Sequence, residues 1–168
     1  MPAQEREAFI EQIELNQGIL HKVCGMFHDN IQDKEDLYQE VIIQLWKSWN
    51  KFKGNSKLST WMYRVALNTA ISMSANSKKQ TKARSLSPND LEYSDETNPD
   101  VSNEEINALY RAISTLSKIE KAVILLYLEE KTYEEIAEIT GLSKSNVGVK
   151  ILRIKKKLEV TMQIIQAQ

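Results

Sequence analysis

The last helical pattern of the chain places one amide and three cations on a single face. The amide belongs to Asn146, and Lys150, Arg153 and Lys157 follow at steps of four, three and four residues. Such steps keep side chains on one side of a helix. An amide near a helix start can hydrogen-bond to a base edge, and cations farther along can bind phosphates. The face therefore indicates DNA binding, although cations near a helix end also complement the helix dipole.

A tight corner precedes this helix. Thr132 and Glu135 match the Ser/Thr-x-x-Glu capping box that opens a helix. Gly141 can end that helix in the left-handed conformation, and Ser143 can cap the next one. Two helices joined in this way form a helix-turn-helix, whose second helix enters the major groove, although similar pairs occur in ordinary bundles. The core-facing positions of the second helix are predicted to be Val147, Ile151, Ile154, Leu158 and Met162.

Gly148 is unexpected in the interior of this helix. An interior glycine costs about 1 kcal/mol relative to alanine. One hypothesis is that Gly148 lets the backbone approach a phosphate closely. Substitution by alanine would then affect DNA affinity as well as stability.

The composition limits what the chain can be. A net charge of -1 argues against DNA binding by bulk electrostatics, because the basic helix is balanced by acid elsewhere. The single cysteine, Cys24, excludes an internal disulfide, and with His21 and His28 it forms a poor metal set. Neither histidine has a plausible acid-base partner, and no glycine-rich phosphate loop is present. We therefore expect no enzymatic activity, no metal and no cofactor, and a structural role for Cys24.

Part of the balancing acid lies on the second helical pattern. Asp36, Gln39, Glu40 and Lys47 share an outward face of that helix. Asp36 and Glu40 are like charges four residues apart, which slightly weakens an isolated helix. The face is either a solvated surface or a docking surface for a basic partner.

A Gly-containing loop and the following helix combine cations, small polar residues and aromatics. Backbone charge and unstacked bases could be bound there together, as single-stranded nucleic acid requires. The candidate contacts are Lys53, Lys57, Arg64 and Asn68. We interpret the neighbouring Trp61 and Tyr63 as core or boundary residues rather than as stacking platforms for bases.

Apolar periodicity predicts helices throughout, and therefore an all-α fold. The first helical segment has apolar positions Phe9, Ile13, Leu20, Val23 and Phe27, and the second has Leu37, Val41, Leu45 and Trp49. Asp33 is the predicted cap of the second, and Ser59 the predicted cap of a third over residues 60–75. The buried stripe of this third helix is predicted to be Met62, Val65, Ala66, Thr69 and Met73.

Two small helical domains are predicted, residues 1–76 and 104–168. Residues 77–103 are rich in Ser, Asn, Asp and Lys and lack apolar periodicity, which is typical of a flexible linker. In the second domain, capping boxes pair Ser102 with Glu105 and Ser117 with Glu120. The predicted buried positions that follow are Ile106, Leu109 and Ile113, then Ile119, Val123 and Leu126, then Ile136 and Ile139.

Three segments in order resemble bacterial sigma factors of the extracytoplasmic-function group. The segments are DKEDLYQEVIIQLW, FKGNSKLSTWMYRVALNTA and LSKIEKAVILLYLEEKTYEEIAEITGLSKSNVGVKILRIKKKL. The resemblance covers most of residues 8–160. It implies an initiation factor that docks on core RNA polymerase and confers promoter specificity, with promoter DNA and an anti-sigma factor as further partners. Residues 1–76 would correspond to region 2 of the family, and residues 104–168 to region 4.

The resemblance also implies roles for individual residues. The polymerase-binding residues would be Asp36, Gln39 and Glu40. The residues near the melted -10 element would be Asn55, Ser56, Lys57, Arg64 and Asn68. The recognition helix would read the -35 element through Lys144, Ser145, Asn146, Val149, Lys150 and Arg153.

Two other functions fit parts of the pattern. One is a helix-turn-helix regulator that binds duplex DNA without polymerase, and the other is a helical protein-binding adaptor that does not contact DNA. No apolar run approaches bilayer length, and the N-terminal residues carry acid where a signal peptide carries base. We therefore expect no membrane insertion and a cytoplasmic location.

Overall fold

A computed structural model of the chain describes residues 2–80 and 103–168. The chain divides into two compact units, unit 1 (Met1–Ser85) and unit 2 (Leu86–Gln168). All regular secondary structure of the described residues is helical, which confirms the predicted all-α class. Most of the predicted linker, with Ser102 and its capping box, lies outside the described residues. None of the described helices is both long and apolar enough to span a membrane.

Unit 1 contains four α-helices and a short 3-10 turn. The helices are α1 (Ala3–Leu15), α2 (Gln17–Phe27), α3 (Ile31–Ser48) and α4 (Leu58–Gln80), and the turn is Trp49–Lys51. The core lies where α2, α3 and α4 pack against one another. Its fully buried side chains include Leu20, Val23, Leu37, Val41, Leu45, Met62 and Ala66.

The first helical segment is two helices rather than the single predicted helix. The chain breaks at Asn16, whose φ of -117° and ψ of 19° lie outside the helical range. The Asn16 side chain donates a hydrogen bond of 2.8 Å to the carbonyl oxygen of Gln12. The backbone amide of Asn16 donates to the same carbonyl oxygen at 3.2 Å, so both bonds hold Asn16 against the last turn of α1. The prediction missed the break because Ile13 and Leu20, seven residues apart, keep helical spacing across Asn16.

The predicted caps of α3 and α4 are wrong. Asn30 caps α3, since its Oδ1 accepts a hydrogen bond of 2.7 Å from the backbone amide of Asp33. Asp33 instead lies in the first turn, where its charge complements the helix dipole. α4 begins at Leu58, so Ser59 lies inside its first turn. Within α4, Met62, Ala66 and Thr69 are buried as predicted, whereas Val65 and Met73 are half-buried, and Tyr63, Leu67 and Ala70 are also buried.

Unit 2 contains α5 (Asn103–Ser114), α6 (Lys118–Leu128), α7 (Tyr133–Thr140) and α8 (Lys144–Gln166). Helix α8 packs against the other three. The capping boxes Ser117–Glu120 and Thr132–Glu135 are both present, each with its two reciprocal hydrogen bonds. The predicted core positions Val123, Leu126, Ile136 and Ile139 are buried, and Ile119 is half-buried.

The predicted stripe of α5 is largely wrong. Ile106 and Leu109 are 36% and 39% exposed, and only Ile113 of the three predicted positions is buried. Ala108 and Ala112 lie inward instead, one turn apart. The prediction followed the largest apolar side chains, whereas two small residues of α5 are buried and α5 packs on α8.

Candidate nucleic-acid interface

The corner between α7 and α8 has the geometry that the sequence predicts. Gly141 adopts the left-handed conformation with a φ of 77°, and its amide donates a hydrogen bond of 2.9 Å to the carbonyl oxygen of Ala137. Ser143 then caps α8, because its Oγ accepts a hydrogen bond of 3.2 Å from the backbone amide of Asn146. The two bonds stop one helix and start the next within three residues, which fixes the direction in which α8 leaves the turn.

α8 has a buried face and an exposed polar face. Val147, Ile151 and Ile154 are buried as predicted, whereas the predicted core positions Leu158 and Met162 are half-buried. The structure places every residue predicted for the -35 element on the exposed side or at its border. Lys144, Ser145, Asn146, Val149 and Arg153 are exposed, and Lys150 is half-buried. Within the described residues, Lys150 and Arg153 form no ion pair, so both cations are available to a ligand.

Other cations of α8 are bound to neighbouring helices. Lys144 forms an ion pair with Glu134 of α7, and the hydrogen bond from Lys144 lowers the pKa of this exposed carboxyl. Nζ of Lys155 donates a hydrogen bond of 2.6 Å to the Tyr127 hydroxyl and lies 4.3 Å from the centre of that ring. Lys144 and Lys155 therefore both interact with side chains of neighbouring helices.

Lys157 also contacts α6. Its Nζ lies 3.1 Å from Oε2 of Glu120. Partial burial acts to raise the pKa of Glu120, but the Ser117 backbone amide and Lys157 outweigh it, and the pKa lies below the usual value. Helical spacing places Lys157 on the same face as Arg153. Among the described residues, however, Lys157 forms an ion pair with Glu120, which Arg153 does not.

The acidic face of α3 is outward, as predicted. Asp36 and Gln39 are exposed, and Glu40 is half-buried. Oε1 of Glu40 accepts a hydrogen bond of 2.7 Å from Nε2 of Gln44, one turn later. This bond orients one carboxylate oxygen of Glu40 along the helix.

The loop between the 3-10 turn and α4 contains the first group of predicted -10 residues. Asn55 and Lys57 are exposed, and Ser56 is half-buried. Gly54 has a φ of 74°, a conformation that glycine adopts without steric cost. The backbone reversal at Gly54 therefore sets how these side chains are presented.

A groove between α3 and α4 contains one further predicted residue. Asn68 of α4 is exposed and lies in this groove, whereas Arg64, which is half-buried, and the loop residues Asn55, Ser56 and Lys57 are not among its lining residues. The groove is open and has a volume of about 440 Å³. It is lined by Gln44, Lys47, Ser48, Lys51, Val65, Asn68 and Thr69.

Sequence reasoning missed part of this groove. Gln44 and Ser48 recur four residues apart, as do Lys47 and Lys51, so helical spacing could have placed each pair on one side of α3 and its extension. It could not show that α4 brings Asn68 against them. Two cations beside amide and hydroxyl groups suit a phosphate and the polar edge of an unstacked base.

Cys24 is not one of the residues assigned to these surfaces. It is buried at 3% exposure, and burial raises the pKa of its thiol to about 11. A thiol with such a pKa is not a nucleophile at neutral pH. The structure agrees with the predicted structural role.

Two family models match the chain in the order that the sequence predicts. The model of sigma-70 region 2 matches residues 13–80, and the model of sigma-70 region 4 matches residues 106–158. The first match contains the acidic face of α3, the loop and the groove, and the second contains the helix-turn-helix. This chain belongs to the sigma-70 family. The resemblance to its extracytoplasmic-function group is supported by the relatives.

Curated relatives align with this sigma factor over most of its length. It is 26% identical over 165 residues to the ECF RNA polymerase sigma factor SigW of Bacillus subtilis, covering 92% of this chain and 88% of the relative. It is 28% identical over 156 residues to the ECF RNA polymerase sigma-E factor of Haemophilus influenzae, covering 85% and 82%. It is 26% identical over 157 residues to the RNA polymerase sigma-H factor of Pseudomonas aeruginosa, covering 85% and 81%.

Solved structures show the same fold for this sigma factor. The sigma factor RpoE of Bartonella quintana, in complex with the anti-sigma factor NepR, has a TM-score of 0.76 at 17% identity, covering 94% of this chain and 98% of that one. CnrH, in complex with the cytosolic domain of CnrY, has a TM-score of 0.67 at 18% identity, covering 95% and 90%.

Proposed function

We propose that this sigma factor divides promoter recognition between its two units. As a sigma factor it directs promoter recognition and transcription initiation. In the proposal, unit 1 docks on core RNA polymerase and receives the unstacked -10 strand, and unit 2 reads the duplex of the -35 element. The observation that carries the proposal is the exposed face of α8, where Asn146 and Arg153 follow the fixed corner of a helix-turn-helix within the region 4 match.

The chemistry of α8 suits direct readout of bases. An asparagine amide can bind adenine through two hydrogen bonds, and an arginine guanidinium can bind guanine in the same way. We assign base contacts to Asn146 and Arg153, and contacts with bases or phosphates to Lys144, Ser145 and Lys150. Val149 is 46% exposed and offers an apolar surface to a thymine methyl group.

The acidic face of α3 is assigned to the polymerase rather than to DNA. Asp36 and Glu40 would be repelled by phosphates, so this side of unit 1 suits a basic protein surface. Gln39 lies between them and can donate and accept hydrogen bonds there. Docking through these acidic residues also explains how a chain of net charge -1 can use a strongly basic helix to bind DNA. Once the chain is docked, much of the affinity for DNA comes from the polymerase.

The loop and the groove are assigned to the melted -10 element. Asn55, Ser56 and Lys57 would contact the strand at the loop, and Arg64 and Asn68 would contact it along α4. The groove extends this set to α3, since Asn68 shares it with Lys47 and Lys51. Cations for the backbone and amides for unstacked bases are what binding of a single strand requires.

We also propose an anti-sigma factor as a regulatory partner. The structural relative RpoE is seen in complex with an anti-sigma factor, NepR, and CnrH is seen in complex with the cytosolic domain of CnrY. We propose a non-enzymatic role, in which polymerase carries out the chemistry of transcription, and activity in the cytoplasm, where the nucleoid is found.

Run-off transcription with purified core polymerase tests the proposal. The chain is added to core polymerase on a fragmented genomic library, and the start sites are sequenced. We expect initiation at a defined set of sites that share a -10 and a -35 element and that disappear when the chain is omitted. Tight duplex binding without polymerase, together with no selective initiation, would instead identify a conventional helix-turn-helix regulator.

A further inference from the structure

Five aromatic rings form a continuous chain at one end of unit 1, and we refer to them as the aromatic chain. Phe9 lies 5.0 Å from Trp46 and 5.3 Å from Trp49, measured between ring centres, and both pairs are edge-to-face. Trp49 lies 6.1 Å from Trp61, and Trp61 lies 5.1 Å from Phe52. The aromatic chain contains all three tryptophans of the protein.

The aromatic chain ends at the loop assigned to the -10 strand. Phe52 directly precedes residues 53–57, and Trp61 lies in the first turn of α4, just after them. The contact between these two rings therefore joins the two ends of the loop. Four of the five rings are half-buried rather than part of the fully buried core, so the chain lies at the boundary between the core and solvent.

One ring of the aromatic chain belongs to α1, that of Phe9, which lies between Trp46 and Trp49. Phe9 is the only buried residue of α1, at 5% exposure, whereas Ile10 and Leu15 are 43% and 71% exposed. The main packing of unit 1 is between α2, α3 and α4. The buried residue of α1 therefore packs on the unit through its ring, which contacts Trp46 of α3 and Trp49 of the 3-10 turn.

We infer that α1 positions the -10 loop: Phe9, acting through Trp49 and Trp61, holds residues 53–57 in the conformation that receives the unstacked strand. Phe9 is a positioning residue, because its ring contacts are with Trp46 and Trp49 and it is not among the lining residues of the groove. Edge-to-face aromatic pairs add stability beyond the apolar area that they bury. Functional loops depend on a rigid support of this kind. The inference rests on the proposed function of the loop.

The inference also assigns Trp61 a role. A half-exposed tryptophan beside a nucleic-acid site could be a stacking platform for a base. Trp61 instead contacts Trp49 and Phe52, so its ring already packs within the protein. The partial burial of Trp61 is explained by its place in the aromatic chain.

Removal of the Phe9 ring tests the inference in the free protein. Trypsin cleaves after Lys53 and Lys57, which lie in the loop, and mass spectrometry can follow each cut. Phe9→Ala removes two ring contacts, and we expect cleavage at these lysines to become about tenfold faster. Tryptophan emission should shift to longer wavelength, and it reports on the aromatic chain alone because no other tryptophan is present. The matched control is Ile10→Ala, in the same helix but exposed, which should change neither quantity.

The second measurement uses the holoenzyme and a single-stranded oligonucleotide carrying the -10 sequence of the strongest mapped promoter. We expect Phe9→Ala to weaken binding of this strand about tenfold while association with core polymerase stays unchanged. Phe9→Met should restore most of the affinity, because methionine fills the same space and its sulfur contacts aromatic rings favourably. A parallel loss of polymerase association would overturn the positioning role and leave Phe9 as a fold residue.

The two measurements separate this inference from the proposed function. If the rate of cleavage at Lys53 and Lys57 and the tryptophan emission are unchanged in Phe9→Ala, Phe9 does not position the loop. This holds even if the protein transcribes normally as a sigma factor. If both quantities change in Phe9→Ala but wild-type holoenzyme does not bind the strand, Phe9 does position the loop through the aromatic chain. The assignment of the loop to the -10 element then fails.

Discussion

The two units build their candidate interfaces in different ways. In unit 2, the six residues assigned to the -35 element lie between Lys144 and Arg153 on one helix. In unit 1, the groove combines residues of α3, the 3-10 turn and α4, and the aromatic chain beside the loop draws its five rings from α1, α3, the 3-10 turn, Phe52 and α4. A single-helix site needs only the right periodicity and one rigid corner. An assembled site also depends on side chains that never contact the ligand, so it should be sensitive to distant substitutions.

The acidic face of α3 and the exposed face of α8 also differ in the sign of their charge. α3 presents Asp36 and Glu40, whereas α8 presents Lys150 and Arg153. Opposite charge on these two faces suits two different partners, because a face that attracts DNA repels a basic protein surface, and a face that attracts a basic protein surface repels DNA. The predictions that follow test whether each charge acts on the partner assigned to it.

Reversal of charge at Glu40 should have the largest effect. We expect Glu40→Lys to weaken association with core polymerase by about 2 kcal/mol or more, roughly 30-fold, because a cation would then meet a basic surface. The fold should be retained, since Glu40 is only half-buried. Co-purification and titration with core polymerase measure the effect. Glu35→Lys, on another side of α3, is the matched control and should bind normally; equal losses in both variants would mean that net charge, not this face, drives docking.

Loss of the Arg153 side chain should act only on the other partner. We expect Arg153→Ala to weaken binding of the holoenzyme to the -35 duplex by about 1–3 kcal/mol and to relax selectivity at one base pair. Polymerase association should not change. Footprinting and selection of bound sequences measure both effects. Lys155→Ala removes the same charge from the side of α8 that contacts Tyr127, and it should leave the selected base unchanged; a wild-type footprint for Arg153→Ala would contradict the assignment.

Helix caps offer a smaller, purely structural test of the two units. Thr132→Ala should lower the free energy of unfolding of unit 2 by about 1 kcal/mol, because it removes the acceptor for the Glu135 amide. Thr132→Ser retains that acceptor and should be close to wild type. Ser59→Ala should change stability by less than about 0.5 kcal/mol, because α4 begins before Ser59. Urea unfolding followed by circular dichroism tests all three, and a larger loss for Ser59→Ala would show that the assigned start of α4 is incorrect.

The smallest expected difference between the units is in the stability gained when a helix-interior glycine of each is replaced by alanine. A Cβ added at Gly25 of α2 would meet nothing within 4 Å, whereas one at Gly148 of α8 would lie 3.4 Å from Cε2 of Tyr133. We expect Gly25→Ala to stabilise by up to about 1 kcal/mol and Gly148→Ala by about 0.5 kcal/mol. Thermal unfolding measures both.

DNA affinity separates the two explanations for Gly148. Gly148 is half-buried and its Cα faces a ring of α7, so we expect Gly148→Ala to bind the -35 duplex as tightly as wild type. Weaker binding by this variant alone, with Gly25→Ala unaffected, would favour the hypothesis of close approach to a phosphate.

The sequence predicted unit 2 better than unit 1, and the exceptions share a cause. The caps Ser117, Thr132 and Ser143 were identified because a cap depends on residues within one turn of each other. The cap of α3 was placed at Asp33 rather than Asn30, since both residue types suit the position and only the backbone distinguishes them. α5 was misread because Ala108 and Ala112 face inward, and that choice is made by the close approach of α8.

The sequence by itself determined the all-α class, the order of the two sigma regions and the faces of α3 and α8, because each follows from the residues within a few helical turns. Only the tertiary structure decided that Asn68 shares a groove with Lys47 and Lys51, and that Phe9 reaches the loop through Trp49 and Trp61. These contacts join residues far apart in the chain. Periodicity shows which side of a helix is apolar, but the packing of the helices decides which side chains meet there.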